Sequence, residues 1–368
     1  MSLLFAYFCA INKAQLYKMD DISSRILAWY DMNKRDLPWR DTRDPYRIWI
    51  SEIILQQTRV AQGYDYFVRF VERFPTVEAL AEAAEDEVMR MWQGLGYYSR
   101  ARNLHAASKA VVAQGGFPTN YSAIRMLKGV GDYTAAAIAS FVFDEPVAAV
   151  DGNVCRVWAR LFGIDAPIDT TLGKRMIAEI AQELLPATHA AKYNQAIMEF
   201  GALQCVPKSP DCLACPLADK CVALAEGRVE ELPIKSHKTK VTPRYLSYLY
   251  IHNAEEMLLH KRVANDIWQN LYELPLIETA EPMDADRLFG HADFEAWHSL
   301  MPSYLYKGAT AGIKHVLSHR VLHATFHEIE LQGQLPCPEG FVCVRHDELH
   351  RYALPRLIER YFEGLAKK

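Results

Sequence analysis

The 368 residues contain no long apolar run, no excess of basic charge, no internal repeat and no low-complexity tract. The longest uncharged apolar stretch, Leu3 to Asn12, is about half the length that crosses a bilayer. It has no positive segment ahead of it and no small-residue cleavage pattern behind it, so it does not read as a secretory leader. A membrane-bound protein is therefore not expected, and the chain reads as intracellular, in the cytoplasm. With 41 Lys and Arg against 45 Asp and Glu, the formal charge is -4, which excludes a histone-like or tail-driven nucleic-acid binder. Any contact with DNA must come from local patches. What is present points to two buried cores, because the length exceeds one ordinary domain and 50% of the residues are hydrophobic with 23% charged.

The first 20 residues look detached, and Met19 is a plausible start with Met1 to Lys18 an addition. From Asp21 to residue 230 the chain reads as helices separated by Gly and Pro breaks, with apolar returns every three to four residues in Val77 to Met91 and Met176 to Leu185. Residues 231–243 carry several basic residues and two prolines and read as a linker. Beyond it, Tyr245 to Ile251, Val321 to Leu331 and Phe341 to Arg345 are aromatic and β-branched and predict strands, and Pro355 to Ala366 predicts a closing helix. Residues 244–368 are thus expected to form an α+β domain after an all-α one.

Four local patterns carry chemistry. Cys205, Cys212, Cys215 and Cys221 fall within seventeen residues, and in a large intracellular chain such a cluster holds metal more readily than disulfides. The spacing suits an iron-sulfur cluster or tetrahedral zinc and does not choose between them. Leu127 to Thr134 places Gly129, Val130 and Gly131 between two helices, a helix-hairpin-helix whose amides can reach a DNA phosphate, although GxG also occurs in plain helical turns.

The third and fourth patterns are carboxyls. Asp44-Pro45 starts a helix in which Glu52 sits among Ile48, Trp49, Ile50, Ile53, Ile54 and Leu55. Burial there would raise its pKa and make it a proton donor; a solvated stripe shared with Gln56 is the plainer alternative. Asp151 precedes a helix whose amides would keep it ionised, or would simply use it as a cap. One carboxylic acid and one carboxylate are what cleavage at an anomeric carbon needs, and such chemistry on a base in duplex DNA requires the base to be flipped out.

Together these motifs closely resemble the adenine-specific DNA glycosylases, the MutY family of the helix-hairpin-helix glycosylase superfamily. The resemblance is carried by LPWR (37–40), WISEIILQQT (49–58), GLGYYSRARNL (94–104), LKGVGDYTAAAIAS (127–140), AVDGNVCRV (149–157) and the four cysteines. It implies a multidomain chain, with an all-α helix-hairpin-helix glycosylase domain and its cluster loop followed by a Nudix-like α+β domain. It also implies removal of adenine mispaired with 8-oxoguanine or guanine in double-stranded DNA. In that frame Glu52 is the general acid and Asp151 the carboxylate at the anomeric carbon, supported by Tyr133 and Asn153. Gln57 and Tyr97 are the residues that wedge into the base stack, and the four cysteines are ligands of a [4Fe-4S] cluster.

The family's Phe-Ser-His lesion-contacting triplet appears as Leu317-Ser318-His319, so the polar pair Ser318 and His319 is kept and the aromatic wedge is lost. No acidic Nudix-hydrolase run follows Tyr272-Glu273-Leu274-Pro275, so pyrophosphate hydrolysis is not expected. Arg35 and Arg40 read as phosphate contacts or as a solvated face. His315, His319, His323 and His327 recur every fourth residue, but a turn at Ser318 to Arg320 would separate them, so no metal is expected there. The chain is expected to act as a monomer. Two rivals are an endonuclease-III-like glycosylase with lyase activity, disfavoured because Tyr133 stands where its lysine would be, and a non-catalytic iron-sulfur DNA-binding protein.

Overall fold

The computed structural model describes residues 13–236, 241–301 and 303–366. Residues 1–12 of the expected extension and 237–240 of the expected linker lie outside the described residues. The chain divides into two compact units, one of Met1–Glu78 with Ala107–Lys238, the other of Ala79–Ala106 with Thr239–Lys368. The stretch 79–106 thus packs with the C-terminal residues, although its sequence reads as part of the helical region.

The first unit is helical. Helix α1 (Lys13–Asn33) begins before residue 20, so the chain does not break there. Helix α2 (Pro45–Leu55) starts where Asp44 accepts the Tyr46 amide and Pro45 takes the first turn. Trp49, Ile50 and Ile54 are fully buried, so α2 is enclosed on most of its circumference, unlike α3 (Val60–Arg73), which buries one stripe of Phe67, Phe70 and Val71. Helix α4 (Asp132–Phe143) is alanine-rich, and those small side chains let it pack against α2 with nearly every residue buried. Helix α5 (Gly152–Phe162) is capped by Asp151 and ends at Gly163, whose positive φ of 62° lets the chain leave the helix.

Helices α6 (Thr171–Glu183) and α7 (Ala190–Leu203) close the unit around a core of Ile26, Trp29, Val157, Trp158, Ile197 and Phe200. The approach of α7 to the start of α5 requires Gly201, since a Cβ there would stand 2.7 Å from the Cβ of Asn153. This packing places Glu52 within α2 and Asp151 at the start of α5.

The second unit holds a seven-stranded mixed sheet: β1 (Thr242–His252), β2 (Glu256–Lys261), β3 (Tyr272–Glu273), β4 (Leu276–Thr279), β5 (Leu305–Val316), β6 (Arg320–Glu330) and β7 (Phe341–Arg345), in the order β3-β2-β1-β6-β5 with β4 on β1 and β7 on β2. Only β1 and β6 run parallel, from Thr242 opposite Arg320 to His252 opposite Glu330. Strand β1 is buried on both faces from Leu246 to Ile251, whereas β6 largely alternates buried residues with half-buried or exposed ones. Strand β5 reads differently: it carries Lys307, Gly308, Thr310, Gly312 and Lys314, with irregular register against β6. Helix α8 (Arg356–Leu365) covers the sheet, with Tyr361 stacked on Phe326 at 4.0 Å. No helix among the described residues is long and apolar enough to cross a membrane.

Candidate active site

The start of α5 and the middle of α2 meet at a cavity of about 540 Å³ in the first unit, lined by Glu52, Tyr133, Asp151, Asn153, Arg40 and Glu199 among others. Glu52 is 6% exposed. Burial pushes its carboxyl up to about 7; the charge of Asp151 adds to the rise, while a hydrogen bond from Tyr133 and the charge of Arg40 oppose it. Tyr133 donates its hydroxyl to Glu52 Oε2 at 2.6 Å, and burial raises its own pKa well above the ordinary phenol. Glu52 therefore keeps its proton to a pH well above that at which a free carboxyl releases it.

Asp151 caps α5, accepting the Val154 amide at 2.8 Å on Oδ1 and the Asn153 side-chain amide at 2.8 Å on Oδ2. The sequence predicts that these donors keep its pKa low. Instead the carboxyl is raised, because burial outweighs the Val154 and Asn153 hydrogen bonds that favour the anion. The cap is thus a buried carboxyl that also lines the cavity.

Asn153 is in turn fixed by Arg156, whose guanidinium also donates to the carbonyls of Gly201 and Cys205. Arg160, one turn further on, is buried and donates to Cys205 Sγ at 3.4 Å and to the carbonyls of Val206 and Pro207. Cys205, Cys212, Cys215 and Cys221 line one space of about 30 Å³ beside it. Among the described residues, no group of three or more His, Cys, Asp and Glu side chains is arranged to hold a single metal ion.

The opposite wall of the cavity is a second buried glutamate that the sequence pattern did not single out. Glu199 on α7 is 1% exposed and accepts from Arg35 Nε at 2.8 Å and Nη2 at 2.6 Å, and from Arg40 Nη1 at 3.0 Å and Nη2 at 2.7 Å. Burial works to raise its pKa, yet the donors from Arg35 and Arg40 outweigh it and hold the group down at about 2. Arg35 and Arg40, read as phosphate contacts or a solvated face, are instead drawn inward by this carboxylate, which would be costly to bury alone. Only the charge match across more than 150 residues of sequence could have signalled the pairing.

Outside the cavity a groove of about 1020 Å³ is lined by Glu52, Gln57, Gly129, Gly131, Tyr133 and Asp151 among others. Gln57 is exposed with a φ of 56°, a left-handed conformation that tips it out of α2. Gly129 takes a φ of 80°, which only glycine adopts without strain, and Gly131 stands exposed at the start of α4. Val130 between them is buried, so this residue anchors the hairpin while the glycines face outward.

Tyr97, Ser318 and His319 are not in this unit. They share a cavity of about 430 Å³ in the second unit, where the Tyr97 and Ser318 hydroxyls hydrogen-bond. The histidine set separates as its turn predicts: His315 meets Trp268, His323 stacks on Tyr245, and His327 is buried against Tyr306.

Residues 50–187 match the family described as HhH-GPD superfamily base excision DNA repair protein, and 247–364 match the NUDIX domain. An adenine DNA glycosylase of Arabidopsis thaliana is 38% identical over 71% of this chain and 48% of its own length. One of Buchnera aphidicola from Schizaphis graminum is 35% identical over 70% of this chain and 75% of its own. The chain therefore spans about half the length of the plant relative and three-quarters of the bacterial one. Among solved structures, a thermostable thymine-DNA glycosylase overlays with a TM-score of 0.54 at 30% identity, covering 58% of this chain and 99% of that one. Two family matches in series, and relatives of one kind aligned across most of the chain, place it in the adenine DNA glycosylase family.

Proposed function

We propose that this chain hydrolyses the N-glycosidic bond of adenine mispaired with 8-oxoguanine or guanine in duplex DNA, leaving the strand uncut. The observation that carries the reading is the pair of carboxyls on one cavity, Glu52 raised to about 7 and hydrogen-bonded by Tyr133, with Asp151 held by donors at a helix start. Glu52 delivers a proton to the departing purine at N7, so that the base leaves neutral. Asp151, in its ionised form, faces the oxocarbenium-like anomeric carbon or captures it, and Glu52 then takes a proton from the attacking water. Tyr133 keeps the Glu52 carboxyl oriented, and Asn153 does the same for Asp151. The Arg40–Glu199 wall offers fixed donors and charge to the polar edge of a base lifted into the cavity. The hairpin glycines and Gln57 line the groove that would take the DNA backbone and stack.

The cysteines fit a [4Fe-4S] cluster by their donor set: four thiols around one small space, with the Arg160 cation at the Cys205 sulfur to offset an anionic all-thiolate group. When bound, the cluster supplies a rigid cross-link of residues 205–221 rather than a reactive centre. Iron and sulfide analysis of the purified chain checks this, and stoichiometric zinc would contradict it.

The catalytic reading is tested by incubating the chain with duplexes carrying adenine opposite 8-oxoguanine, adenine opposite guanine, or oxidised pyrimidines, and measuring base release and strand breaks before and after alkali. Adenine release with breaks only after alkali is expected. Breaks without alkali would mark a lyase, and binding without release would mark a DNA-binding protein alone.

A further inference from the structure

The cavity of the second unit has an aromatic wall that the 317–319 turn does not provide. Residues 265–268 line it on one segment and residues 316–319 on another, together with Tyr97. Trp268 lies on the first segment, 8% exposed and edge-on to His315 at 5.9 Å. Both aromatic residues are held in left-handed backbone, Tyr97 at a φ of 46° and Trp268 at 61°. Such strain in large side chains persists only where the surroundings enforce it.

The enforcement is visible. Asp266, two residues before Trp268, accepts from Arg244 at 2.7 Å, Arg262 at 3.1 Å and Arg320 at 3.2 Å. Arg320 directly follows the Leu317-Ser318-His319 turn, and its carbonyl accepts the Leu317 amide at 2.8 Å. A single carboxylate therefore ties the Trp268 segment to the turn across the cavity. Arg262 is anchored from behind by Glu273, with both carboxylate oxygens 2.7 Å from Nη1, and the Gln269 carbonyl accepts from Arg102 at 2.7 Å. A cavity with one mobile wall could not hold a flat ring in register with Ser318 and His319; this one has both walls fixed to the same ion.

Resting on the reading that the chain acts on mispairs containing an oxidised purine, we propose that Trp268 is a specificity-determining contact for that base. It supplies the aromatic face that Leu317 omits, with Asp266 as the residue that positions it. The ligand class is a planar oxidised purine retained by the polar atoms of Ser318 and His319. Only a base retained in this way remains against the indole, so the stacking gain falls on 8-oxoguanine and not on guanine. Base–aromatic stacking of this kind changes affinity by roughly tenfold.

The test measures equilibrium binding of the full chain to duplexes that carry a non-hydrolysable adenine nucleotide opposite 8-oxoguanine or opposite guanine, together with single-turnover adenine release from the hydrolysable counterparts. Trp268→Ala and Trp268→Leu should each lose about tenfold of the preference for 8-oxoguanine, with guanine duplexes unaffected, while Trp268→Phe retains most of it. Asp266→Asn should lower the ratio of 8-oxoguanine to guanine affinity, whereas a merely structural role would reduce both affinities in parallel and leave that ratio unchanged. Trp268→Leu keeps the apolar bulk, so the assay stands if the alanine variant does not fold. Equal loss on both duplexes, or full preference in Trp268→Leu, overturns the proposal. A wild-type chain that prefers 8-oxoguanine but releases no adenine sinks the catalytic reading and leaves this one standing, whereas release without preference does the reverse.

Discussion

Two glutamates on facing walls of one cavity show how little burial alone decides. Glu52 is 6% exposed and its carboxyl is pushed up to about 7; Glu199 is 1% exposed and its carboxyl is held at about 2. Both lose water. Glu52 receives one neutral donor and feels the charge of Asp151, while Glu199 receives two guanidiniums. The same residue type thus holds its proton on one wall and gives it up on the other, because only Glu199 receives direct hydrogen bonds from guanidiniums.

The largest break in that comparison is Glu52→Gln, which keeps the volume and removes the proton. Single-turnover adenine release should fall by roughly 10²- to 10⁴-fold, with binding to a mispaired duplex retained; unchanged release would remove Glu52 from the chemistry. Next is Glu199→Ala, which leaves Arg35 and Arg40 facing each other without their anion. Urea denaturation should record a loss of about 3 kcal/mol, and a loss within error would mean that the arginines find other partners at no cost.

A smaller effect follows from the sign of the Glu52 shift. The folded chain keeps this proton up to about 7, whereas a free carboxyl releases it near 4.5. The native state therefore binds more protons in that window, and its stability falls as the pH rises through it. Glu52→Gln should accordingly be more stable to urea than wild type at pH 8, by up to about 3 kcal/mol, with the gap closing below pH 5. A gap that is constant with pH would show that the carboxyl is not shifted. The smallest effect belongs to Tyr133→Phe. Tyr133 lowers the Glu52 pKa, so its removal should move the alkaline limb of the pH–rate profile upward by a few tenths to about one unit. A downward move would reverse the assigned role of that hydroxyl.

The helices that carry Glu52 and Asp151 were legible because capping is local. Asp44-Pro45 marked α2, and Asp151-Gly152-Asn153 marked α5, within a few residues of sequence. What lay outside that range was not legible. The direction of the Asp151 shift depends on how deeply α5 is buried, which no cap signal encodes. Glu199 reads as one more charge on an amphipathic helix until α7 is set against Arg35 and Arg40, and Gly201 gives no sign that it clears room for Asn153. In the second unit, β1 and β6 were readable from their aromatic and β-branched, partly alternating residues, whereas β5, with two glycines and irregular register, was not. The packing of 79–106 with the C-terminal residues is likewise a property of long-range contacts, since both segments are helix-forming or strand-forming on their own terms.

Arg156 links the cysteine loop to Asp151 by way of Asn153. One guanidinium satisfies the Asn153 side chain, the Gly201 carbonyl and the Cys205 carbonyl together. Loosening the backbone at Cys205 frees the arginine, the arginine frees the amide, and the amide no longer aims Asp151. Under the role proposed for Asp151, a disturbance of the backbone at Cys205 therefore reaches that carboxyl through three successive hydrogen bonds.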